Sequence, residues 1–154
     1  PPGGAMVAAL ADLADPPPLR TLDLRGNRMT ADRLWRLLRS PVADGLAALD
    51  LGDNHLGPDG FLGQSADALP HLRRLDVMAA GLGGRGFAQL DASPVMRRLR
   101  FLNVAGNALT PVTMGEAWAA SLRKLAGVLD LRDNRLGDAG VRELVRLPCE
   151  GLVQ

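Results

Sequence analysis

The sequence predicts an α/β repeat fold, a right-handed solenoid in which five parallel strands line a concave inner wall and helices form the convex outer one. Three observations predict it. A comb of leucines recurs at a nearly constant period, the leucines inside each unit alternate with period two, and apolar residues at helical spacing follow each unit.

The comb follows the pattern LxxLxLxxNxL. It reads LRTLDLRGNRM from Leu19, LAALDLGDNHL from Leu46, LRRLDVMAAGL from Leu72, LRFLNVAGNAL from Leu99 and AGVLDLRDNRL from Ala126. The starts are 27, 26, 27 and 27 residues apart, a regularity that unrelated strands of a globular domain would not show. Alternate residues of a strand point to opposite faces, so Leu22, Leu49, Leu75, Leu102 and Leu129 should lie side by side on one buried face.

After each comb the period changes. Leu34, Phe61, Phe87, Met114 and Val141 stand five residues beyond the unit, and Leu37, Gln64, Leu90, Ala117 and Leu144 three further on, which is one helical face. Thr30 and Thr110 are candidate N-caps, Pro58 and Pro111 suit a first turn, and Gly57/Gly60, Gly83/Gly86 and Gly137/Gly140 punctuate the entries. Pro41, Pro70, Pro94 and Pro148 cannot continue a helix and return the chain to the next strand.

Parallel strands sit about 4.8 Å apart and packed helices about 8 to 10 Å apart, so a stack of such units must curve with its strands inside. Residues 1–154 are therefore expected to form one solenoid, with full repeats starting near 19, 46, 72, 99 and 126. Residues 1–18 read as the remnant helix of a preceding repeat, centred on 5–14, and 147–154 as the start of a following one. With no polar capping unit in the sequence, self-association through uncapped ends is expected as well.

The iterated motif resembles the leucine-rich repeat family, and units near 27 residues with a full helix are most similar to its ribonuclease-inhibitor-like subclass. The resemblance covers residues 19–146; the departures are Ala126 in a leucine slot, Ala80 in the asparagine slot, and Asn103 and the valines in strand slots. It implies a non-catalytic scaffold that binds another protein on its concave face and adjoining loops. Members of the subclass that activate small GTPases make a regulatory module on such a GTPase an alternative, and a spacer within a longer repeat protein is another.

Composition narrows the partners. The 18 basic and 17 acidic residues of the 154 leave a net charge of +1, so no global field draws the chain to nucleic acid or to an anionic membrane, and neither is expected as a partner. Cys149 is the only cysteine, which removes a disulfide framework and a cysteine-based zinc cluster and leans toward a cytoplasmic location. Lys124 is the only lysine, and the wealth of Arg, Ala, Gly, Leu and Pro hints at GC-rich coding and a bacterial source.

No catalytic constellation emerges, and no cofactor or metal is expected. Gly81, Gly83 and Gly86 match GxGxxG between a strand and a helix. Gly83 and Gly86 only repeat the spacing of Gly57/Gly60 and Gly137/Gly140, and sequential strands offer no switch point to open a nucleotide crevice. His55 and His71 fall at different repeat positions without partners at ligand or triad spacing; Cys149 reads as an inert thiol, and Trp35 and Trp118 as packing residues.

Asn27, Asn54, Asn107 and Asn134 leave each strand at the same slot, where an amide can pair backbone groups of neighbouring coils; they form a structural ladder that Ala80 interrupts. The third coil is accordingly expected to be the loosest joint. The strand residues facing away from the leucines form three columns. The first is Thr21, Ala48, Arg74, Phe101 and Val128; the central one is Asp23, Asp50, Asp76, Asn103 and Asp130; the third is Arg25, Gly52, Met78, Ala105 and Arg132. Carboxylates about 5 Å apart repel by about 1 kcal/mol per pair, so the central column calls for a basic partner or for neutralisation by Arg25, Arg74 and Arg132, and the family resemblance makes Asp an ordinary occupant of the slot. The partner-binding residues expected are Arg74, Asp76, Met78, Phe101 and Asn103, flanked by Asp50, Asp130 and Arg132. Five strands offer a few hundred square ångström, under the roughly 800 per partner of a standard interface.

Overall fold

The structure, a computed structural model, describes residues 3–61, 68–114, 125 and 127–145. Its centre is one parallel sheet of five three-residue strands: β1 (Thr21–Asp23), β2 (Ala48–Asp50), β3 (Arg74–Asp76), β4 (Phe101–Asn103) and β5 (Val128–Asp130), lying in chain order. The register pairs Leu22, Leu49, Leu75, Leu102 and Leu129 in a single row, as the leucine comb requires. Helix α1 (Gly3–Ala11) precedes β1, α2 (Ala31–Leu38) joins β1 to β2, α3 (Gly83–Ala92) joins β3 to β4, α4 (Pro111–Met114) follows β4, and α5 (Gly137–Val145) follows β5. The result is an α/β repeat fold.

The core is one pool of side chains. Leu24, Leu49, Leu51, Leu75, Val77, Leu102 and Val104 from the strand side meet Leu34, Leu37, Phe87 and Leu90 from the helices in a single buried cluster. Helix α2 shows why: Leu34, Leu37 and Leu38 recur at i, i+3 and i+4 and are buried, while Asp32, Arg33 and Arg36 face water. Burial of each such leucine contributes about 1.5 to 3 kcal/mol. Phe61 is buried too, in a turn. Val141 of α5 is 52% exposed, in contrast to Leu34, Phe61 and Phe87 at the same repeat position. Gln64, Ala117, Trp118 and Cys149 lie outside the described residues, as do the side chains of Met114 and Leu144.

Helix ends follow local hydrogen-bond chemistry. Thr30 starts α2 without a side-chain cap, whereas the Thr110 hydroxyl accepts the N–H of Thr113 at 3.1 Å, and the Thr113 hydroxyl accepts that of Thr110 at 3.0 Å. Ser40 and Ser93 each donate their hydroxyl to the carbonyl three residues back, Leu37 and Leu90, both at 2.7 Å. Pro41 and Pro94 follow and open 3-10 turns over Pro41–Gly45 and Pro94–Arg98 that lead into the next strand. Beyond each strand the chain turns through a left-handed residue at one slot: Gly26, Asp53, Ala79, Gly106 and Asp133, with φ of 67, 52, 49, 66 and 54°.

The coils are stitched at that turn. Asn54 Oδ1 accepts the N–H of Asn27 (3.0 Å) and of Met29 (2.8 Å) from the coil before, and its Nδ2 donates to the carbonyls of Leu24 (2.9 Å), Leu51 (2.8 Å) and Gly52 (3.1 Å). Asn134 repeats the pattern on Asn107 N, Leu109 N and the carbonyl of Val104. Asn107 does so on Leu82 N and the carbonyl of Val77. Asn27, in the first coil, donates to the Arg25 carbonyl at 3.0 Å. Where Ala80 removes the amide, its own backbone carbonyl takes over: Leu56 N donates to Ala80 O at 3.0 Å and Gly57 N at 3.2 Å. The joint expected to be loose is thus hydrogen-bonded by main chain, and Ala80 is fully buried.

Candidate functional site

The sheet face opposite the leucines carries the three columns anticipated from alternation, and the register sets their rows. Asp23, Asp50, Asp76, Asn103 and Asp130 stand side by side on β1 to β5. Each does the same local job. The Oδ1 atom of Asp23, Asp50, Asp76, Asn103 and Asp130 accepts the backbone N–H two residues on, at 2.9, 2.8, 3.0, 3.0 and 3.1 Å. A short side chain with an oxygen at this distance closes the turn, for about 0.5 to 1.5 kcal/mol each, which gives the acidic column a structural cause that residue spacing did not reveal.

The remaining oxygens differ along the row. Asn103 Nδ2 donates to Asp76 Oδ2 at 2.9 Å, and both residues are largely buried, at 6% and 7% exposure, not open to water as alternation suggested. Asp130 is clasped by Arg132, with Nε at 2.9 and 3.0 Å from the two carboxylate oxygens and Nη2 2.6 Å from Oδ2. The guanidinium hydrogen bond holds the Asp130 carboxyl below its usual range and raises Arg132 in turn. Among the described residues no ion pair reaches Asp23 or Asp50. Burial, and then the charges of Asp76 and Asp23, push the Asp50 carboxyl up, against the pull of the Gly52 N–H and of Arg25.

Of the three arginines expected to neutralise the column, only Arg132 pairs with its own aspartate. Arg25 reaches to the next coil, where Nη2 lies 2.7 Å and Nε 2.8 Å from Asp53 Oδ2, and Nη2 lies 3.9 Å from Met78 Sδ. Arg74 lays its guanidinium over the Phe101 ring, 3.5 Å from the centroid. Phe101 and Met78 are half-buried, and Val128, next in the row after Phe101, is 58% exposed. In the third column Gly52 and Ala105 are buried. A Cβ at Gly52 would come within 3.1 Å of Asp50 Oδ1, so a glycine lets the turn lie close to the carboxylate.

The eight site residues named from sequence share one face: Arg74 meets Phe101, Asp76 meets Asn103, Asp130 meets Arg132, Met78 meets Arg25 from outside the named set, and Asp50 accepts the Gly52 N–H. Sequence reasoning missed Arg25 and Asp53 as partners, because a contact across 28 residues is invisible to spacing within a strand. His55 and His71 are exposed. Among the described residues, no group of three or more His, Cys, Asp or Glu side chains could hold a metal ion, and no helix is long and apolar enough to cross a membrane.

With this geometry described, comparison with known proteins adds one finding. A Leucine Rich repeat family model matches residues 16–32 and 128–145, the first and last strand units of the sheet, and these matches support a leucine-rich repeat protein. Repeats of this kind generally mediate protein–protein interaction and are generally not enzymes. No curated protein matches the chain.

Proposed function

We propose that residues 1–154 form one right-handed leucine-rich repeat solenoid of the ribonuclease-inhibitor-like kind, and that it is a scaffold binding another protein on the concave sheet face. One observation carries the reading: the Arg74 guanidinium stacked 3.5 Å over Phe101 beside the exposed Val128, next to the column of aspartates. Aromatic and arginine side chains are the usual anchors of interfaces, and stacking fixes both rotamers before a partner arrives, which lowers the entropy lost on binding. Asp50, Asp76, Met78, Asn103, Asp130 and Arg132 form the surrounding polar and apolar contacts.

The test is affinity capture from lysate of the source organism with the natural chain and with an Arg74→Ala/Phe101→Ala variant, after circular dichroism shows that the variant is folded. Proteins retained by the natural chain should be retained at least tenfold less by the variant. Equal retention of every captured protein would reject this face.

A further inference from the structure

Asp23 and Asp50 face each other in register on β1 and β2, about 4.8 Å apart as neighbouring strands. Each commits one oxygen to a backbone N–H and has no basic side chain within ion-pair distance among the described residues. The two arginines that could have reached them are held elsewhere, Arg25 on Asp53 and Arg74 on Phe101. Between them opens a depression of about 170 Å³, lined by the two carboxylates together with Thr21, Leu22, Ala48 and Arg74. Ala48, small and half-buried, stands where Arg74 and Phe101 stand further along the same row, so the hollow is the gap left by a short side chain.

We propose that this sheet face docks a basic segment of a partner protein, which seats an arginine or lysine head between Asp23 and Asp50 and lays an apolar side chain against Phe101 and Val128. The inference rests on the reading of the face as the interaction surface and names the chemistry of what it takes. Charge complementarity selects the occupant. A cation there meets two carboxylates with no other ion pair among the described residues, and burial, with the like charges of Asp76 and Asp23 behind it, pushes the Asp50 carboxyl up. A phosphate group, from nucleic acid or lipid, would meet that charge with repulsion. With a net charge of +1 the whole chain attracts no polycation at long range, so recognition is local. From Ala48 to Val128 is three strand intervals, about 14 Å, which an extended segment crossing the strands covers in about four residues.

The probe is a dodecapeptide with two adjacent arginines and a leucine four residues on in a Gly/Ser background, titrated into the full chain while backbone amide shifts are followed by NMR. A second peptide carries glutamates in place of the arginines. Saturable shifts at β1 to β5 with the arginine peptide alone are expected, with the dissociation constant raised at least tenfold in an Asp23→Asn/Asp50→Asn variant. Asparagine keeps the Oδ1 acceptor, so the turns stay closed. Equal binding of both peptides, equal affinity of the variant, or no shifts on the face overturns the proposal. The two readings fail differently. If Arg74→Ala/Phe101→Ala abolishes partner capture and Asp23→Asn/Asp50→Asn leaves it unchanged, the face stands and the basic segment falls.

Discussion

Two polar columns climb this sheet with the same period, and they end differently. In the asparagine ladder Asn54, Asn107 and Asn134 each carry bonds across to the coil before: Asn54 alone joins Asn27, Met29 and Leu24 across the gap and is 4% exposed. In the aspartate column each Oδ1 turns back to its own coil, two residues on, and the second oxygen is left for whatever is near. Repetition at a fixed slot thus does not by itself separate a structural residue from an interaction residue. Where the hydrogen bonds go does.

The contrast breaks hardest at Asn54. Asn54→Ala strands the buried N–H of Met29 and the half-buried N–H of Asn27 and removes the donor to three carbonyls, and each buried polar group left unpaired costs about 1 to 3 kcal/mol. A loss of about 3 kcal/mol is expected, read as a lower urea midpoint. Asn134→Ala, at a partly exposed site where water can replace the amide, should lose about half as much. Equal losses would mean that burial does not set the ladder's worth.

Much of this was legible in the sequence. The leucine comb specified strand positions and register to the residue, because burial on one face leaves a period-two element only one alignment. The ladder and the three columns followed from the same alternation. The rest depends on main-chain geometry and on contacts between coils. The carbonyl of Ala80 replacing an amide is a backbone event with no side-chain signature. Arg25 choosing Asp53 over Asp23 depends on where the left-handed turn carries Asp53. That turn did leave a trace, since Gly or Asp fills the slot in four coils and only Ala79 departs. Asp76 and Asn103 are buried and bonded to each other across two coils, a pairing that a column of letters does not contain.

On the aspartate column a mid-sized effect of opposite sign is expected. Asp50→Asn retains the acceptor for Gly52 N–H and removes a charge that burial and two like neighbours disfavour. The folded carboxyl lies above its unfolded value, so it costs nothing in acid, and the cost appears as pH rises through the folded value. The variant should therefore be more stable at pH 7 by about 0.5 kcal/mol, a fraction of one carboxylate pair in water, and equal to the natural chain in acid. A gain that persists unchanged at low pH would show that repulsion is not its source.

The smallest effect sharpens the comparison within the column itself, at Arg132. Arg132→Ala keeps the backbone N–H bonded to Asp130 Oδ1 and deletes only the guanidinium clasp. That clasp holds the Asp130 carboxyl low, so it stabilises the fold above the unfolded carboxyl value and loses that effect as pH falls through the folded one. Arg132 is itself largely in water, and exposed ion pairs contribute little, so the melting temperature at pH 7 should fall by no more than about a degree. The carboxyl should titrate visibly higher by NMR, and the stability difference should close in acid. If the Asp130 titration does not move, the backbone bond alone sets its acidity. The difference between a neutralised aspartate at β5 and a bare pair at β1 and β2 then loses its electrostatic meaning, and with it the reason to look for a cation at only one end of the face.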